Sequence, residues 1–278
     1  MDAQRNRPRR VRARGLVLTV YAVLCLGSSG CANVWDEVWS RDFSLKEWWT
    51  PPDPLVVLRD STDGDRRARA LRMLHEPKQN GGTDKEQDFT VELLNTAAST
   101  ERAALCRMAA IEALQTFKDP RVVKGLEDAY YRATSFSPDT ASIIRCRALA
   151  ALGQTGQPAA VDILVRVLRE PPVAAESSET EKQQKTDERT AAALSLGRFK
   201  GRAAAEQLLV LMKTEQDIAL RDRAYESLQT STGKHFAADP KLWSDYLQNA
   251  GKNLETGVVP EKTFGDKMLE TVVPASFR

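Results

Sequence analysis

Residues 145–168 read RCRALAALGQTGQPAAVDILVRVL, and this stretch decides the fold. Arg145, Ala148 and Leu152 stand at offsets of zero, three and seven. The last two therefore share one stripe of a helix and face one neighbour. A small residue there lets two helix backbones approach, and a leucine one turn on fills the space beside them. Gly153 follows directly, at a place where helices tend to stop. Pro158 then opens a second apolar run, with Val161, Leu164, Val165 and Leu168 on its inner side. The spacing predicts two antiparallel helices of about 12 residues, neither able to bury its stripe alone.

The pattern Arg-x-x-Ala-x-x-x-Leu returns along the chain. It occurs as Arg67, Ala70, Leu74; as Arg107, Ala110, Leu114; as Arg189, Ala192, Leu196; and as Arg221, Ala224, Leu228. Successive arginines are 40, 38, 44 and 32 residues apart. The fourth offset strengthens the same face with Leu71, Ile111, Leu149, Ala193 and Tyr225. Pro54, Pro120 and Pro240 each follow an aspartate, a start signal for the intervening helices. After Asp119, the residues Val122, Val123, Leu126, Ala129 and Tyr130 make one such amphipathic helix. The uneven steps point to polar insertions at 76–88 (EPKQNGGTDKEQD) and 171–187 (PPVAAESSETEKQQKTD), both expected to be exposed loops. Trp243, Tyr246 and Leu247 are expected on a closing helix over the last repeat.

These residues resemble HEAT repeats, in particular the short HEAT-like type first named from phycobilisome lyases. Arg145 to Leu168 carries the resemblance best, and the similarity extends over about residues 53–250. It implies an all-α fold, a right-handed α-solenoid of about five helical hairpins between aromatic N- and C-terminal caps. It also implies that the motif arginines ladder with nearby acids. Asp65 before Arg67 and Asp187 before Arg189 fit that expectation. The motif residues are packing residues, so the resemblance speaks for architecture rather than for a reaction.

The N-terminus carries a different signal. Six arginines precede residue 15, then comes the apolar run Leu16–Gly27, then Ser28, Ser29 and Gly30. This is the order of a secretory signal peptide. The run of 12 residues is shorter than the roughly 20 that a membrane-spanning helix takes. Ser29, Gly30 and Cys31 resemble the lipobox of bacterial lipoproteins, which implies lipid attachment at Cys31; Ser28 departs from the large apolar residue usual there. The expected organisation is a signal peptide at 1–30, a lipid-anchored aromatic tether at 31–52, repeats at 53–250 and a flexible tail at 251–278. Within the tether, Trp35, Trp39 and Phe43 recur at helical spacing, suited to capping the open apolar end of the repeats or to a membrane surface.

Composition limits the functional classes. The 278 residues are 42% hydrophobic, which argues against wholesale disorder and against a multi-span membrane protein. Lys plus Arg total 40 against 38 for Asp plus Glu. Loss of residues 1–30 removes six arginines and one aspartate, leaving 34 basic and 37 acidic residues and no case for nucleic-acid binding. Two histidines, His75 and His235, and four cysteines are too few and too scattered for a metal site. There is no phosphate loop, nucleophile elbow or zinc motif. Cys106 and Cys146 flank the motif arginine on opposite sides and are expected to be buried thiols rather than a disulfide. At the second offset, Arg69, Arg147 and Arg223 point away from the packed stripe. They form either a solvated face or a basic stripe for an acidic partner. The expectation is a non-enzymatic scaffold or protein-interaction module without cofactor, on the periplasmic face of a bacterial membrane as a lipoprotein, or secreted if not lipidated. An enzyme accessory or lyase-like protein is the alternative.

Overall fold

The computed structural model describes residues 52–171, 173–174, 176–249 and the backbone of 257–258. The chain divides at Asp53, and every helix named below belongs to the part that begins there. Eleven α-helices run in order among the described residues: α1 Pro54–Asp60, α2 Gly64–Arg72, α3 Asp84–Thr100, α4 Ala104–Leu114, α5 Arg121–Tyr131, α6 Pro138–Thr155, α7 Pro158–Arg169, α8 Glu179–Leu196, α9 Arg202–Thr214, α10 Ile218–Thr232 and α11 Pro240–Asn249. Between α8 and α9 a two-residue strand, β1 (Phe199–Lys200), pairs antiparallel with β2 (Gly257–Val258).

The helices form two layers. The five motif helices α2, α4, α6, α8 and α10 pack each against the next, and α3, α5, α7, α9 and α11 do the same beside them. Between the layers, each second-layer helix from α3 to α9 packs closely against the motif helix that follows it, a solenoid-like arrangement whose core runs between the layers. The motif alanines and leucines are in that core: Ala110, Leu114, Ala148, Leu152, Ala192, Leu196, Ala224 and Leu228 are fully enclosed, and Ala70 and Leu74 nearly so. From the second layer, Val122, Leu126, Ala129, Ala160 and Leu164 meet them.

The start signals act as read. Asp53 accepts from the backbone of Leu55 at 2.9 Å and Asp239 from Lys241 at 2.8 Å. Asp119 accepts from Arg121 at 3.0 Å, with the helix beginning one residue past Pro120. The two polar insertions correct the sequence reading. Residues 77–80 form a short 3-10 helix, α3 already begins at Asp84, and α8 begins at Glu179. Both helices start in a capping box: Thr83 with Glu86, and Ser178 with Glu181. In each box the cap hydroxyl and the carboxylate of the third helical residue satisfy one another's backbone donors, which holds a helix start together without apolar residues. As a result α3 and α8 have 17 and 18 residues rather than about 12, and α6, which starts at Pro138 without such a box, has 18.

Gly153 corrects a second reading. It lies inside α6, which ends only at Gly156, a left-handed position with φ of 70°. A Cβ built on Gly153 would stand 2.8 Å from Ser195 Cβ, and one on Gly197 would stand 2.7 Å from Ser227 Cβ. The glycine after the motif leucine therefore permits close approach to the next motif helix; at Gly153 it is not the stop, whereas α8 does end at Leu196 with Gly197 as its cap. At the far end Trp243 is fully buried. Its indole N–H donates to the Ala237 carbonyl at 3.0 Å, and Tyr225, Phe236 and Tyr246 meet its ring edge-on.

Candidate interaction surface

The five motif arginines share one offset but differ in partner. Arg67 binds the Glu101 carboxylate and donates to the Leu58 carbonyl at 2.6 Å. Arg107 is buried and meets no carboxylate. It donates to the carbonyls of Glu101 (2.7 Å) and Arg132 (2.8 Å) and to Ser135 Oγ (3.3 Å), with its guanidinium 4.7 Å from the Phe136 ring centre. Arg145 donates to Glu188 at 3.1 Å and Arg189 to Glu215 at 2.5 Å. In all four cases the arginine makes at least one bond forward, to the turn before the next motif helix or, for Arg145, to the middle of that helix, while Arg67 and Arg107 also bond carbonyls earlier in the chain. The acids expected two residues upstream, Asp65 and Asp187, are not the partners. An offset of two lies about 200° round the helix, so those carboxylates point elsewhere. Asp187 accepts instead from Gln183 at 2.8 Å. Arg221, in the last motif helix, is exposed and has no side-chain partner among the described residues.

Glu188 anchors the deepest polar cluster. Its second oxygen accepts from the Tyr130 hydroxyl at 3.1 Å, and Lys185 stands 3.8 Å away while binding Glu170. Burial pushes the Tyr130 phenol well above its ordinary range, with the Glu188 charge adding to it. Burial likewise raises the neighbouring Cys146 thiol to about 11 and raises that of Cys106. Both thiols are free. The cluster joins α5, α6 and α8 and leaves no carboxylate oxygen idle.

Arg69, Arg147 and Arg223 are all exposed on the outer side of the motif layer. Arg147 stands 3.7 Å from Glu112, which also accepts from Arg72 at 2.7 Å, so one carboxylate links α2, α4 and α6. Arg223 pairs with Glu226 at 2.6 Å in its own helix. Ile143 and Leu194 stand on this same side, about half exposed. Charge at the fifth offset in adjacent units, Arg72 and Glu112, was visible in the sequence as the sign of this link.

His75 and His235 are both exposed and lie in separate turns. No group of three or more metal-capable side chains occurs among the described residues, and no helix there is long and apolar enough to cross a membrane. Cys31, the signal segment and the tryptophans between 35 and 49 lie outside the described residues. One family model, that of the PBS lyase HEAT-like repeat, matches residues 144–170. Over that span the chain is similar to a HEAT repeat. The match covers the motif-bearing part of α6 together with α7, one helical pair of the stack. No curated protein matches the chain.

Proposed function

We propose that this chain is an exported, lipid-anchored scaffold that binds a protein partner at the cell envelope and performs no catalysis. In this reading the helical pairs coil as a right-handed solenoid. Cys31 carries the lipid after removal of residues 1–30, and the mature protein faces the periplasm. The observation that supports it most is the register of Arg69, Arg147 and Arg223, exposed at one offset on three stacked helices beside Ile143 and Leu194. Such a face offers direction and charge to an acidic partner.

The test combines metabolic palmitate labelling, membrane fractionation and cross-linked capture. Wild type incorporates label and sediments with membranes, whereas Cys31→Ala does neither. The triple variant R69E/R147E/R223E keeps label and fold but loses the partners that wild type captures. Unlabelled wild type, or an unchanged set of captured partners, would overturn the corresponding half of the reading.

A further inference from the structure

The forward-reaching arginines make the stack directional, and a directional stack has two unlike ends. At the C-terminal end Arg221 occupies the motif position but has no further motif helix to reach among the described residues. One side of the first turn of α10 stays open around it: Ile218 is 65% exposed, the highest value among the large apolar side chains described, and Ala219 and Asp222 are exposed too, while Leu220 on the other side is fully buried. Further along α10, Tyr225 donates to the Phe236 carbonyl at 2.6 Å beneath Trp243.

At the N-terminal end the complement is present. The turn ahead of α2 reads DSTDGD over residues 60–65 and occupies the place from which Glu101 and Glu215 receive their arginines in later units. No motif arginine precedes it. Asp60 and Asp63 meet only neighbours in sequence: Asp60 binds Arg59 at 2.7 Å, and Asp63 caps α2 by accepting from the Asp65 backbone at 3.0 Å with Arg66 at 3.9 Å; both remain about half exposed. Leu55 and Val56 of α1 stand exposed beside this turn, at 40% and 42%.

We propose that a second copy of this chain docks head to tail, with the turn at Asp60 and Asp63 of one molecule receiving Arg221 of the next. Leu55 and Val56 then meet Ile218 across the contact. The joint continues the repeat between molecules: an arginine without an acid meets acids that pair only within their own turn. Because the two surfaces differ, the contact is heterologous and the assembly stays open-ended. It goes beyond partner binding on the Arg69 face and shares no residue with it.

Sedimentation of the full chain in density-matched detergent tests it. The mean mass rises with concentration and falls as salt screens the joint. R221D and, separately, D60R weaken association about tenfold or more, since each sets like charges face to face. Mixing the two variants restores association, because each carries the ends that suit the other. All these positions are exposed, so circular dichroism and melting temperature stay at wild-type values. A monomeric wild type across the concentration range overturns the proposal. So does a mixture that associates no better than its components, even if wild type self-associates by another surface.

Discussion

Asp119 shows how one carboxylate can tie three turns. Its two oxygens accept from the Arg121 backbone, from the Arg121 guanidinium at 2.9 and 2.7 Å, and from Gln87 at 3.1 Å, while its own carbonyl accepts from Gln157 at 2.9 Å. Gln87 in turn donates to buried Glu76, which also receives the Lys118 backbone at 2.7 Å. The Arg121 side chain, followed by backbone and amide donors, holds the Asp119 carboxyl well below the usual carboxylate range. A pKa lowered by folding stabilises the native state above the unfolded value and is lost as pH falls through the folded one. Asp119→Asn should therefore cost about 1 kcal/mol near pH 7, a figure kept small because Arg121 is half exposed. The gap to wild type should begin to narrow as pH drops below about 4 and keep shrinking toward the far lower folded value. Urea melts of both proteins at pH 7 and at about pH 2.5 check this; a gap unchanged between the two contradicts it. These links were half legible. Asp119 was readable as a start signal, but its bonds to Gln87 and Gln157 depend on which turns stack together.

At the level of helices, the seam between α6 and α8 depends on the absence of a side chain at Gly153. Gly153→Val should force α8, through Ser195, away from α6 and cost about 3 kcal/mol, whereas Gly153→Ala costs less but is still destabilising. Guanidinium melts read this directly; a neutral valine would mean that the close approach does not matter to the packing. Helix faces were well legible here, since a period of 3.6 residues and a repeated Arg-Ala-Leu spacing survive any loop length. Helix starts were less so. Thr83 with Glu86 and Ser178 with Glu181 carry an evident capping box, yet the polarity around them outweighs it when windows are judged by apolar period. The partners of the motif arginines were not legible, because the receiving acid sits six residues before one motif arginine, one before another, and is absent before α6.

Across the whole stack, each helical pair touches mainly its neighbours, so damage should stay local. Trp243→Ala removes the ring enclosed by Tyr225, Phe236 and Tyr246 and should cost about 3–5 kcal/mol at that end. Amide exchange should accelerate in α9, α10 and α11 while α2 to α5 keep their protection. Uniform acceleration along the chain would show a single cooperative block instead. The two-layer arrangement was the most legible feature at this scale, because five copies of one packing rule leave few other ways to shield their stripes. The β1–β2 pairing was invisible, since two residues of ladder carry no period.

The neutral socket of Arg107 bears on how such a chain can be rearranged. If the segment holding α4 and α5 were excised, Arg67 would arrive before the Arg132 carbonyl, Ser135 and Phe136, a lining suited to an enclosed guanidinium with no counterion. Glu101 would go with the lost segment. The repeats are thus alike in outline but not interchangeable tiles, and the order in which they are strung together is written into their joints.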